Sequence, residues 1–281
     1  ELSDPTSPDL KPEGRPEHIA YLYAHWNPIE NLTVEANEQI ALDTWEMRLA
    51  GPRSASVQPG RFLNLHPEGF LLRRPISIAD VSPNGYTVIY KTVGEGTRQL
   101  AELTAGAVVS AHGPLGHGFE IRSQAGQRAI LYGGGVGVPP MYYLARRLVE
   151  AGVSVDVRLG FGTAGAAFYL DRFAELGSVD VATDDGTLGT HGTIAALDDA
   201  LATGADGVAD KPADAIYACG PNLMLQYVAQ RWRDHSNVQL SFEERMACGV
   251  GACYGCVKAT MWGQARLCVE GPVLDASEVA W

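Results

Sequence analysis

Apolar positions alternate over short runs in the first part of the chain and recur at helical spacing in the second. Up to about Glu120 the runs read as short strands at Ala20–Tyr23, Glu38–Leu49, Arg61–Leu65, Arg74–Val81, Tyr86–Thr92 and Ala107–His112. Turn signals separate them, notably Pro83-Asn84-Gly85, Pro59-Gly60 and Ala105-Gly106. With a single helical stretch at Thr97–Leu103, this rhythm predicts a small antiparallel barrel.

After Gln124-Ala125-Gly126-Gln127 the period changes. Arg128–Tyr132 reads as a strand that ends in Gly133-Gly134-Gly135-Val136-Gly137. A helix is expected over Pro139–Gly152, because Met141, Leu144, Ala145, Leu148 and Val149 share one helical face. Prolines at 139 and 140 suit its first turn, where no N–H partner is lost. Strands at Val153–Phe161, Val179–Thr183, Ala215–Cys219 and Val238–Phe242 then alternate with helices at Ala167–Leu176, Thr193–Ala202 and Asn222–His235. Gly204–Pro212 reads as a loop. Such β-α alternation predicts a doubly wound parallel sheet with helices on both faces. The expected organisation is multidomain β plus α/β: an arm over 1–17, a barrel over 18–124, an α/β domain over 125–242 and a small C-terminal domain over 243–281.

Composition narrows the function classes. The chain has 281 residues, 46% hydrophobic and 19% charged, as expected of a globular protein with ample core. A net charge of −12 argues against nucleic acid and anionic membranes as partners. No apolar run is long enough to span a membrane, and the first residues lack the basic and apolar regions of a secretory signal. The expected compartment is the cytoplasm. The proline-rich residues 1–17 read as a flexible arm.

The strongest chemical signal is Cys248, Cys253, Cys256 and Cys268, spaced C-x4-C-x2-C-x11-C. This is the plant-ferredoxin type of spacing for a [2Fe–2S] cluster. Glycines at 249, 251 and 255 suit a loop in which backbone N–H groups approach the sulfurs. A structural zinc is the alternative; it more often shows two C-x2-C knuckles or added histidine. Disulfides suit a small secreted domain rather than a large acidic chain with five cysteines.

Other motifs are individually weaker. Gly133–Gly137 lies where a strand turns into a helix, a site suited to phosphate. Tyr217-Ala218-Cys219-Gly220-Pro221 has the same position later in the sheet, although burial is the commoner fate of a lone cysteine. Arg73-Arg74-Pro75-Ile76-Ser77 offers a guanidinium fork for phosphate and a hydroxyl for a ring nitrogen. Gly94-Glu95-Gly96-Thr97 is a second candidate phosphate cradle. His112 and His117 read as loop residues, and no histidine is expected to act as a catalytic group. No nucleophile elbow or H-E-x-x-H occurs, so hydrolysis has no support.

Taken together these residues resemble a known family. Arg74-Pro75-Ile76-Ser77 resembles the flavin signature of ferredoxin–NADP reductase-like enzymes, and Gly133–Pro139 with Cys219-Gly220-Pro221 resembles their two nicotinamide signatures. Glu244 to Cys256 followed by Arg266-Leu267-Cys268-Val269-Glu270-Gly271-Pro272-Val273 is similar to the electron-transfer subunits of dihydroorotate dehydrogenase B. The resemblance runs from about residue 18 to the end, leaving the arm outside it. It implies an FAD-binding barrel, an NAD-binding domain and a C-terminal [2Fe–2S] domain. By that resemblance Arg74, Pro75, Ile76, Ser77, Ile89, Tyr90, Lys91, Gly96 and Thr97 contact FAD. Gly133, Gly134, Gly135, Gly137, Cys219 and Gly220 line the nicotinamide nucleotide site, with NAD the expected cofactor and NADP left open. Ser77 would face the flavin ring, Cys219 would lie near the hydride-transfer position, and Cys248, Cys253, Cys256 and Cys268 would ligate iron.

The implied function is an oxidoreductase subunit for electron transport in pyrimidine biosynthesis. A partner subunit would hold FMN and oxidise dihydroorotate to orotate, in a heterotetramer with two copies of each chain. Electrons would run from the partner flavin through the cluster and FAD to NAD+. One alternative is a reductase subunit of a hydrogenase or a ferredoxin-linked complex. Another, of a different class, is a zinc-stabilised nucleotide-binding module without redox activity. The cluster face around Val250 and Tyr254 is expected to be open to solvent, as an exit for electrons requires.

Overall fold

The computed structural model describes residues 29–51, 57–203 and 212–281. The arm at 1–17, the strand expected at Ala20–Tyr23 and the loop expected from Gly204, save Pro212, lie outside the described residues.

The first half is a closed six-stranded antiparallel barrel. Its strands are β1 (Ile29–Ala41), β2 (Thr44–Ala50), β3 (Phe62–His66), β4 (Arg74–Ser82), β5 (Gly85–Lys91) and β6 (Val108–Leu115). The order is β1-β2-β5-β4-β3-β6, and pairs such as Leu32↔Val109 close β1 onto β6. Helix α1 (Glu95–Ala101) follows β5 and sends Leu100 into the barrel core. The expected single strand Glu38–Leu49 is instead the hairpin β1–β2, turned at Leu42-Asp43. Asp43 takes the left-handed conformation with φ 53°, which a short polar side chain tolerates. No Gly or Pro marks this turn, so the apolar pattern runs through it. His112 also departs from expectation: it is a buried residue of β6 rather than a loop residue.

Strand alternation decides what each barrel residue faces. Leu63 and Leu65 join Val34, Met47, Ile78 and Val88 in the barrel core. Phe62, one position out of phase, packs outside it in a core shared with the second half of the chain.

That second half is built on the parallel strands β7 (Arg128–Gly134), β8 (Ser154–Phe161), β9 (Ser178–Thr183), β10 (Thr190–His191), β11 (Ala215–Cys219) and β12 (Val238–Ser241). Helices α2 (Val138–Glu150) and α3 (Leu170–Ala174) cover one face; α4 (Ile194–Ala202) and α5 (Asn222–Arg231) cover the other. Helix α3 is shorter than the expected Ala167–Leu176, because Tyr169 at φ 63° cannot sit inside a right-handed helix. The cysteine-rich tail contributes the hairpin β13 (Val257–Thr260) and β14 (Gly263–Arg266), then β15 (Val273–Asp275). The sheet order is β10-β9-β8-β7-β11-β12-β15, with β15 antiparallel at the edge. The tail therefore returns to the sheet, and Cys256, Leu267 and Cys268 share a core with Tyr132, Leu240 and Phe242.

Two polar features fix this frame. Arg146 of α2 donates to both oxygens of Asp80 on β4, at 2.5 and 2.6 Å, joining the α/β half to the barrel. Behind the sheet, Arg158 of β8 donates to Asp198 of α4 at 2.5 Å, with both side chains buried. Tyr132, Tyr227 and Arg231 complete the ligation of that carboxylate. Such added donors offset part of the desolvation cost of a buried carboxylate.

Candidate functional site

Two clefts meet at the turn after β7. The first, of about 360 Å³, lies between barrel and sheet. Arg74, Pro75, Ile76 and Ser77 of β4, Ile89, Tyr90 and Lys91 of β5, and Thr97 of α1 line it. Gly96 is pressed against the Arg74 guanidinium: a Cβ there would stand 2.5 Å from Nη2. Arg74 is further held by its contact with the Phe70 ring and by donating to the Leu72 carbonyl at 2.6 Å. A guanidinium beside a glycine and a helix start suits a phosphate group. Tyr90 contributes backbone to this cleft, because its phenol turns into the barrel and donates to Asn37. Burial raises its pKa.

The second cleft, of about 490 Å³, lies at the C-terminal ends of β7, β8 and β9. Gly134 and Gly135 line it with Gly160, Gly162, Asp184, Thr193, Pro221 and Tyr227. Gly133, Gly137, Cys219 and Gly220 are not part of this lining. They form the packing beneath it, where the β7–α2 turn is pressed onto the end of β11. This is the point where the strand order reverses, the usual ligand site of a doubly wound sheet. Gly135 lines the second cleft and its neighbour Val136 lines the first, so one turn is a wall of both.

Cys219 is buried, and burial pushes its pKa far above the ordinary thiol range, with nearby Glu243 adding to the shift. It pairs in register with Ser241 of β12, a residue that lines the first cleft. The structure thus sets Cys219 one strand behind the cleft wall, not in the lining.

The four tail cysteines fall into two pairs, Cys248 with Cys253 and Cys256 with Cys268, each close enough for a sulfur–sulfur hydrogen bond. Among the described residues no three His, Cys, Asp or Glu groups converge on a single ion position. Backbone amides surround the sulfurs: Val250 and Cys253 donate to Cys248, Gly251 to Cys268 and Gly255 to Cys253, at 3.2 to 3.5 Å. Burial disfavours the Cys248 thiolate, yet these amides hold its pKa down to about 7. Cys256 is lowered to about 6 by the hydrogen bond from Cys268, which is raised in return. Gly249 and Gly251 have φ of 71° and 76°, conformations that suit glycine. Gly255 does not; the third left-handed residue is Tyr254 at φ 55°, whose ring lies by the Arg266 guanidinium. Arg266 also donates to the Gly251 carbonyl and pairs with Glu270, tying β14 to the loop. Val250 and Tyr254 are 44% and 58% exposed, so the cysteine loop is open on the expected side.

Comparison with known proteins decides the family. The family described as the iron-sulfur cluster binding domain of dihydroorotate dehydrogenase B matches residues 243–280. The dihydroorotate dehydrogenase B (NAD(+)) electron transfer subunit of Enterococcus faecalis (strain ATCC 47077 / OG1RF) is 41% identical over 262 residues, covering 89% of this chain and 97% of its own. That of Bacillus caldolyticus is 41% identical over 260 residues, covering 89% and 98%. The chain belongs to the family of dihydroorotate dehydrogenase B electron transfer subunits. Among solved structures, an NADH-dependent reduced ferredoxin–NADP oxidoreductase is similar with a TM-score of 0.77 and 28% identity, over 89% of this chain and 90% of that one. Phthalate dioxygenase reductase shares the fold, with a TM-score of 0.60 and 20% identity over 83% and 87%.

In this electron transfer subunit the donor chemistry fits a [2Fe–2S] cluster. Two thiolate pairs suit two irons, and amide donors offset the negative charge on sulfur. The zinc alternative gives way to the iron–sulfur family. The cleft at Arg74 and Gly96 likewise fits a flavin with its phosphates.

Sequence reasoning missed part of both clefts. Ser241, Phe242, Glu243, Glu244 and Met246 line the first, and Asp184 and Tyr227 line the second. The signal was present: Ser241 ends a strand beside β11, and ligands gather at such ends. The pairing of β11 with β12 was the missing piece.

Proposed function

We propose that this chain is the electron-transfer subunit of a dihydroorotate dehydrogenase B. It passes electrons between a catalytic partner subunit, which holds FMN and oxidises dihydroorotate to orotate, and NAD+. We assign a flavin barrel to residues 18–124, a nucleotide domain to 125–242 and a cluster segment to 243–281, in a heterotetramer with two copies of each chain. Free thiols on a redox loop suit the cytoplasm.

The observation that carries the reading is contiguity. Gly135 and Val136 belong to the two clefts, and Met246 of the first cleft lies two residues before Cys248. This adjacency supports a nucleotide site, a flavin site and a cluster site in succession. When bound, FAD exchanges a hydride with nicotinamide and single electrons with the cluster, and so joins two-electron to one-electron chemistry. The chain's own residues bind and orient. Arg74 and the α1 start hold phosphate, Ser77 presents its hydroxyl to the ring, and the glycine turn lets the nucleotide approach the backbone. Asp184 offers a carboxylate to ribose hydroxyls at the end of β9, and NAD+ is the nucleotide named for the relatives.

Reconstitution with the partner tests the assignment. Dihydroorotate should reduce NAD+ only when both subunits are present. NAD+ reduction by the partner alone, or none by the loaded pair, would contradict it.

A further inference from the structure

Asn64 is fully buried, yet neither Nδ2 nor Oδ1 of its carboxamide has a hydrogen-bond partner among the described residues. Buried polar side chains are rarely left so, because water has been removed and nothing replaces it. Its location suggests what completes it. Asn64 follows Phe62 on the outer face of β3, while Leu63 and Leu65 point into the barrel core. Across the ladder it opposes Pro75, which lines the flavin cleft, and His112 on the other side. Above it lies the cysteine loop. A Cβ on Gly249 would stand 3.0 Å from Asn64 Nδ2 and 3.6 Å from His112 Nδ1. Gly249 directly follows Cys248, whose sulfur already accepts from the amides of Val250 and Cys253.

We propose that Asn64 is a positioning residue for the cluster: from the barrel side its buried amide donates to the sulfur of the loaded Cys248 end, where flavin cleft and cluster loop adjoin. This rests on the iron–sulfur reading of the cysteine loop. The chemistry is complementary. A carboxamide N–H is a donor lacking an acceptor, and cluster sulfur is an acceptor in a group whose total charge becomes one unit more negative on reduction. A donor there stabilises the reduced form more than the oxidised form and raises the reduction potential. Gly249 is required at the contact, because any side chain would fill the space between the amide and the loop.

The test uses the full chain loaded with FAD and cluster. Iron and sulfide are measured first, then the cluster potential by anaerobic dye titration and the reduced-cluster signal by electron paramagnetic resonance. Asn64→Leu keeps the volume and removes the donor; Asn64→Asp keeps the shape and reverses the polarity. Both should retain iron, sulfide and FAD. The equilibrium constant for cluster reduction should fall roughly threefold in the Leu variant, about 28 mV at 59 mV per decade, and further in the Asp variant. The resonance signal should shift, and Asn64→Gln should recover part of the potential. Unchanged potential and signal in loaded Leu and Asp variants would overturn the proposal. A wild-type chain without iron or sulfide would instead overturn the cluster reading itself.

Discussion

Gly137 sits on the carbonyl of Cys219: a Cβ at position 137 would overlap that oxygen and lie 2.5 Å from the Gly220 nitrogen. This joins the turn after the first sheet strand to the end of its neighbour, the seam where the nucleotide cleft opens. Gly137→Ala must push two backbone segments apart. Overpacking of this kind costs about 1–3 kcal/mol. A lower melting temperature and weaker NADH binding are expected, with FAD and iron content retained. A calorimetric scan and an NADH titration check both; unchanged NADH affinity would contradict the role of this seam.

Cys219 should be chemically silent. Its raised pKa keeps the thiol protonated, so it adds no ionisation step to NADH oxidation from roughly pH 6 to pH 9. The stability linked to this group is full below the unfolded thiol value of about 8.5 and declines as pH rises past it. Alkylation of the folded, loaded protein followed by peptide mass mapping should leave Cys219 unmodified near neutral pH. Rapid labelling there would contradict its burial.

Arg74 should govern flavin retention. Among the described residues Arg74 and Lys91 are the cations lining the first cleft, and the Arg74 guanidinium, set against Gly96, is the one we assign to phosphate. Hydrogen bonds to charged groups contribute about 1.5–3 kcal/mol, so Arg74→Ala should weaken FAD binding roughly 10- to 100-fold. Arg74→Lys should recover only part, because an ammonium lacks the planar fork. Flavin remaining after gel filtration measures this, and full retention by the Ala variant would contradict it.

Asp198 should be a stability residue rather than a catalytic one. It is buried between Arg158 and Arg231 and accepts from two tyrosines. Asp198→Ala leaves a buried guanidinium without its counter-charge, at a cost of about 3–5 kcal/mol. The melting temperature should fall sharply, and replacing Arg158 by Met in the same chain should recover part of the loss. A single variant as stable as the wild type would contradict the network's role.

Much of this protein is legible in its sequence where one residue type answers to one physical demand. The Cys248–Cys268 spacing, the glycine turn before α2 and Arg74-Pro75-Ile76-Ser77 are such cases; the last two line adjoining clefts, and the cysteine loop begins two residues after Met246 of the first. Strand–helix alternation from Arg128 onward was equally plain, because each strand is a short apolar run bounded by a turn. What stayed hidden is one local turn without its usual residues, and features that depend on residues far apart in sequence. The Leu42-Asp43 turn carries no Gly or Pro. The β15 strand joins the sheet only through its pairing with β12. Ser241, Glu243 and Asp184 reach their clefts through strand order, which periodicity does not encode. Cys219 was placed on the correct sheet edge, but packing carries its side chain behind the lining.

The coupling of a nicotinamide site to a cluster through a flavin, within one chain, is open to direct test. Anaerobic titration of the full, loaded chain with NADH tests it most directly, following the flavin absorbance and the reduced-cluster paramagnetic signal together. Iron and acid-labile sulfide should be present in equal amounts, NADH should bleach the flavin, and the cluster signal should appear as it does so. Cys253→Ser should lose that signal while its flavin is still reduced by NADH. A flavin that bleaches in the intact chain while a fully loaded cluster stays oxidised, or a metal that proves to be zinc, would contradict it.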